Sequence, residues 1–202
     1  MNFLAHCVLA HPGDGFLAGG ILGDFVKGNI PQSLPMELRA GVRLHRRIDS
    51  FSNRLPAMKE SARRFPPHLR RVSPVLLDIV ADHCLAVSWT RYGIDDLRNF
   101  TARVYAAVGR YRDWVPARDT RFIERMIEND LLACYADLAV IRRAMAGILG
   151  RLGLGHLEPQ LTRAFDDSLA ALADDFDVYY PELAAFARAE RPIAVDWAKA
   201  AT

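Results

Sequence analysis

The sequence predicts an all-α protein folded as one helical bundle. Three observations carry that expectation. Apolar residues recur at three- and four-residue spacings along nearly the whole chain, and the β-branched alternation of strands is scarce. Pro and Gly punctuation leaves short connections, which suit antiparallel helix neighbours. With 202 residues the chain can bury one sizeable core, so residues 1–202 read as a single domain. Its 51% hydrophobic and 25% charged residues are ordinary for a soluble protein. No apolar run reaches the ~18–20 residues that span a bilayer. The first residues have no basic start, long apolar stretch or small-residue cleavage site, so a cytoplasmic location is expected.

Helices are expected at 2–10, 15–27, 35–53, 56–65, 73–91, 95–112, 119–131, 134–150, 158–178 and 181–200. The breaks between them fall at Pro12-Gly13, Gly28 to Pro35, Pro66-Pro67, Gly93, Pro116, Gly153 to Gly155 and Pro181. Asp14, Ser73 and Asp95 are expected N-caps. The second helix carries Gly15, Gly19, Gly20 and Gly23, although an interior glycine costs about 1 kcal/mol relative to alanine. The expected reason is close backbone approach to another helix, or to a ligand beside Asp24. GGILGD is not a phosphate loop, because its spacing and its ending are both wrong. Cys7, Cys84 and Cys134 are odd in number and set among apolar residues, so they read as reduced core residues.

Several helical stripes end in ionisable groups. In 35–53, Leu38, Val42, His45 and Asp49 form one stripe. In 73–91, Val75 and Ile79 lead to Asp82, and Leu76 and Val80 lead to His83, with Asp78 one turn before Asp82. In 15–27, Leu17 and Ile21 lead to Asp24, and His6 sits in an apolar first helix. Burying a carboxylate alone costs several kcal/mol, so such groups are paired or bound to metal. Asp24, His45, Asp82 and His83, with His6, Asp49 and Asp78 nearby, make an oxygen and imidazole set. That set suits Mn²⁺, Mg²⁺ or Fe²⁺ better than a thiolate zinc site. Such a centre activates water and neutralises phosphate charge. No serine hydrolase elbow, P-loop, CxxC pair or HExxH is present.

Between residues 39 and 71 stand ten basic residues and only two acids, Asp49 and Glu60. A field of that sign favours an acidic partner such as a phosphorylated ligand, a nucleic acid or an acidic protein.

MNFLAH (1–6), GDFVKGN (23–29), HRRID (45–49), RVSP (71–74), DxxxDH (78–83) and FxxYYP (176–181) together resemble the bacterial acyl carrier protein phosphodiesterases. The resemblance implies an all-α fold of the HD phosphohydrolase type with a divalent metal, Mn²⁺ before Mg²⁺ or Fe²⁺. It also implies hydrolysis of the phosphodiester between 4′-phosphopantetheine and the serine of acyl carrier protein. On that basis Asp24, His45, Asp82 and His6 are the expected metal ligands. Asp24, His83, Asp78 and Arg46 are the expected catalytic residues, with either Asp78 or Asp49 orienting a ligand or relaying a proton. Arg43, Arg47, Arg70 and Arg71 are expected to dock the acidic carrier protein, with no nucleic-acid partner and no membrane span. Two rival readings use the same residues: an HD-type hydrolase of nucleotides, and a non-catalytic basic helical module whose Asp and His residues pair with Arg.

Overall fold

The computed structural model describes residues 3–200. Residues 1, 2, 201 and 202 lie outside the described residues, and with them the first two positions of the MNFLAH motif, the first residue of the helix expected at 2–10 and the outer edges of the domain. Among the described residues there are eleven α-helices and no strand. They are α1 (Phe3–Ala10), α2 (Asp14–Leu22), α3 (Met36–Ser52), α4 (Pro56–Arg63), α5 (Ser73–Val87) and α6 (Trp89–Tyr92). Then come α7 (Leu97–Arg110), α8 (Thr120–Glu128), α9 (Leu131–Cys134), α10 (Leu138–Arg151) and α11 (Glu158–Ala200). None is both long enough and apolar enough to cross a membrane.

Helices α2 and α3 cross at their glycines. A Cβ on Gly19 would lie 2.4 Å from the Gly41 carbonyl carbon, and one on Gly41 would lie 2.3 Å from the Gly15 oxygen. Only hydrogen at these positions lets the backbones meet, which accounts for glycines that otherwise weaken a helix. The crossing brings the loop after α2 to the inward face of α3.

Pro181 does not stop the last helix. Helix α11 runs 43 residues, through Pro181 and Pro192. Both prolines are exposed, while Tyr179, Tyr180, Leu183 and Ala187 beside the first are buried. Burial of four such side chains outweighs the ~3 kcal/mol that proline costs in a helix. Phe186 of α11 stacks on Phe51 of α3, with ring centroids 4.1 Å apart. Helix α2 also ends earlier than expected, at Leu22, so Asp24 lies in the following turn rather than on a helical face. Asp96, not Asp95, caps α7, its carboxylate accepting from the N–H groups of Arg98 and Asn99. Cys7 and Cys84 are buried and Cys134 is partly buried, all as free thiols.

A candidate metal centre beside an apolar cleft

Four of the expected residues converge. His6 comes from α1, Asp24 from the turn after α2, and His45 and Asp49 from one turn of α3. His6 Nε2 lies 2.9 Å from Asp49 Oδ1, and His45 Nε2 lies 3.3 Å from Asp49 Oδ2. Asp24 Oδ1 is 3.7 Å from His45 Nε2. The two imidazoles stack face to face, with centroids 3.7 Å apart and planes 19° apart. Both rings are buried, whereas the carboxylates reach the surface, with side chains 41% exposed in Asp24 and 36% in Asp49. The centre is therefore walled on the histidine side and open on the carboxylate side.

Gly23 and Gly20 seat the His45 ring. A Cβ on Gly23 would lie 2.3 Å from His45 Cγ, so the ring occupies the space a side chain would take. His45 Nδ1–H donates to the Gly20 carbonyl at 3.2 Å, which turns Nε2 toward the carboxylates. A backbone carbonyl that fixes the tautomer in this way is the usual support of a metal-ligating histidine. The His6 ring has no such support, because its Nδ1 is buried without a hydrogen-bond partner.

The charges follow from this packing. Burial disfavours the proton on His45, but the Asp24 and Asp49 carboxylates outweigh it and lift the pKa to about 9. Burial, reinforced by the neighbouring His45 charge, lowers His6 to about 4. Burial works against ionised Asp24 and Asp49, yet the imidazoles hold both below the ordinary carboxylate range. The centre thus holds one imidazolium, one neutral imidazole and two carboxylates.

The donors fit a divalent ion. Nitrogen and oxygen atoms of His6, His45 and Asp49 all lie within 4.8 Å of one another. Adjacent ligands bonded at ~2.1 Å to one octahedral ion stand roughly 3 Å apart, close to the spacings observed here. Two imidazoles with carboxylates and no thiolate suit the harder ions Mn²⁺, Mg²⁺ or Fe²⁺ better than a thiolate zinc site.

The remaining expected residues go elsewhere. Asp82 is fully buried, and its two oxygens accept from the N–H groups of Leu4 and Ala5 at 2.9 and 2.8 Å. It fastens the start of α1 and has no oxygen turned to the cluster; burial pushes its pKa up to about 7. His83 Nδ1–H donates to the Tyr135 carbonyl at 2.8 Å, tying α5 to the end of α9. Asp78 lines a cleft together with Asp24, and burial raises its pKa.

The basic stretch is partly spent on the fold. Arg46 donates to the Gly28 and Val26 carbonyls, both at 2.7 Å, and so pins the loop that carries Asp24 rather than facing the cluster. Arg47 pairs with Glu190 at 2.7 Å, and Arg43 lies over the Trp197 ring at 4.6 Å, joining α3 to α11. Arg64 makes two 2.7 Å bonds to Asp175. Arg70 donates to the Phe65 carbonyl at 3.3 Å. Arg54, Lys59, Arg63, Arg70 and Arg71 keep exposed side chains at the corner around α4.

Of the cleft, the sequence offers only the segment 15–27 as a candidate wall for a substrate arm, and Asp24 and Phe25 from it do line the cleft. The cleft has a volume of about 580 Å³ and opens beside Asp24 and Asp78. Its far walls come from α8, α9 and α10, a half of the chain in which the sequence offers no polar cluster. Its sequence signal was apolar and therefore looked like core: Phe122, Leu131 and Ile148.

Over residues 1–183 the chain matches the family described as acyl carrier protein phosphodiesterase. It is 34% identical over 184 residues to the acyl carrier protein phosphodiesterase of Enterobacter sp. (strain 638), covering 91% of this chain and 90% of that one. It is 32% identical over 186 residues to the protein of the same description from Escherichia coli O157:H7, covering 92% of this chain and 96% of that one. No solved structure matches.

Proposed function

This chain belongs to the acyl carrier protein phosphodiesterase family, and from that premise we propose that it hydrolyses the phosphodiester joining 4′-phosphopantetheine to the serine of acyl carrier protein. The products are apo carrier protein and 4′-phosphopantetheine. The observation that carries this reading is the His6, Asp24, His45 and Asp49 cluster, open to solvent on its carboxylate side and set at the mouth of a cleft.

His6, His45, Asp49 and Asp24 are the residues that would hold a divalent ion, Mn²⁺, Mg²⁺ or Fe²⁺. When bound, the ion supplies Lewis-acid polarisation of the phosphoryl oxygens and a more acidic water. The chain's own residues do the rest. The Gly20 carbonyl and Gly23 hold the His45 ring in place, so the centre needs no rearrangement to form. Asp24, whose carboxylate is open to solvent and held ionised, accepts a hydrogen bond from the attacking water and orients it, and the water's proton passes to solvent. Asp78, which lines the cleft beside Asp24 and whose burial favours the protonated carboxyl, donates a hydrogen bond to the phosphoryl group, and the departing serine oxygen takes its proton from solvent. The centre reads as a rearranged HD-type site, with Asp49 in place of the Asp82 expected from the sequence.

The exposed Arg54, Arg70 and Arg71 offer docking charge for an acidic helical partner. Arg43 and Arg47 serve less directly, since they already bind α11.

The test is incubation with holo carrier protein, followed by intact-protein mass spectrometry. Loss of the phosphopantetheine mass supports the reading. No loss, with turnover of nucleotides instead, would replace it with a nucleotide hydrolase.

A further inference from the structure

Resting on the hydrolase reading above, we propose that the cleft between α5 and α8–α10 is the seat of the pantetheine arm, and that it selects the substrate by the group attached to phosphorus. Continuity is the first argument. Asp24 belongs both to the cluster and to the cleft wall, so a phosphodiester held at the cluster points one of its two substituents into the cleft. The serine substituent is part of a folded protein and stays outside. The other is a narrow, uncharged chain carrying two amides, one hydroxyl, a pair of methyl groups and a thiol.

The walls suit that chain. Phe3, Phe25 and Phe122 form one aromatic side, with ring centroids 5.9 to 6.1 Å apart. Val75 and Phe122 remain 40% and 42% exposed, so the cleft keeps apolar surface that the fold itself does not cover. The volume of about 580 Å³ falls in the range of small-molecule sites. Asp119 and Arg151 in the lining supply the few polar groups that amides need. A nucleoside in the same place would bring a polar base edge and a ribose to a mostly apolar wall, and so would leave polar groups unpaired.

Val75→Trp fills the cleft from an exposed helix position, and Phe122→Ala removes its aromatic side. Both are measured against the parent for KM on holo carrier protein, and for inhibition by 4′-phosphopantetheine and by inorganic phosphate. The parent should bind 4′-phosphopantetheine at least about tenfold more tightly than phosphate, and Val75→Trp should erase that margin and raise KM about tenfold. Phe122→Ala should move both in the same direction by less. A parent that makes apo carrier protein while both variants keep its KM and its margin would overturn the cleft assignment alone. A parent that makes no apo carrier protein but cleaves a small aryl phosphodiester would overturn the carrier-protein reading, and the assignment with it. Circular dichroism of both variants checks that they are folded.

Discussion

Helices α3 and α5 look alike in sequence, since each ends an apolar stripe in acids and a histidine. In space they part. The α3 pair, His45 and Asp49, turns to one point and meets His6 and Asp24 there. The α5 groups scatter: Asp82 fastens α1, His83 holds the Tyr135 carbonyl, and Asp78 alone faces the cleft. An ionisable side chain on an apolar stripe announces only that it has a partner. Whether the partner is structural or catalytic depends on where the neighbouring helix ends. The start of α1 presents to α5 N–H groups that have no acceptor within their own helix, and its next turn presents His6 to α3.

The largest effect should come from α3. His45→Ala should lower kcat/KM for holo carrier protein by about a thousandfold or more, roughly 4 kcal/mol of barrier, while the protein stays folded. Activity above a tenth of the parent would remove His45 from the centre. The α5 counterpart should fail in stability instead. Asp82→Ala leaves two buried N–H groups without acceptors, at about 1–3 kcal/mol each, so urea unfolding should show a loss of about 2–6 kcal/mol. A loss under about 0.5 kcal/mol would contradict the anchoring role.

Gly23→Ala sharpens the contrast without touching a donor atom. The new Cβ would meet the His45 ring at 2.3 Å, and the displaced ring should bind Mn²⁺ about tenfold more weakly. An unchanged affinity would show that the seat is not needed. In chelator-treated protein the ion pair of His45 should also set a pH dependence. Its folded pKa of about 9 lies above the ordinary 6.5, so its stabilisation is complete below pH 6.5 and is lost as pH rises through about 9. Urea titrations at pH 6 and pH 10 should show that decline in the parent, and a smaller one in His45→Gln. The smallest effect belongs to His83→Gln: about 1 kcal/mol of stability for its carbonyl bond, with activity within about threefold of the parent. Abolished turnover there would put α5 back in the chemistry.

The all-α class was legible because helical periodicity needs no tertiary information. The glycine-rich second helix was legible too, as close approach, though not which helix approached. His6, Asp24, His45 and Asp49 were each visible as misplaced polarity. What the sequence could not rank was Asp49 against Asp82, since both sit one turn from another polar group, and the choice is made by the α1 backbone. Nor could it discount the arginines. Arg46 and Arg47 looked like substrate ligands, but their acceptors, the Val26 carbonyl and Glu190, lie 20 and 143 residues away. Pro181 misled for a similar reason, because the packing that carries α11 through it is long-range. The far side of the cleft was hidden because its apolar walls read as core.

The most direct test is a calorimetric titration of Mn²⁺ into chelator-treated parent, His45→Ala and Asp82→Asn. The account predicts a binding site in the parent that is kept in Asp82→Asn and lost in His45→Ala. Binding that survives in His45→Ala and disappears in Asp82→Asn would place the ion on α5 and contradict it.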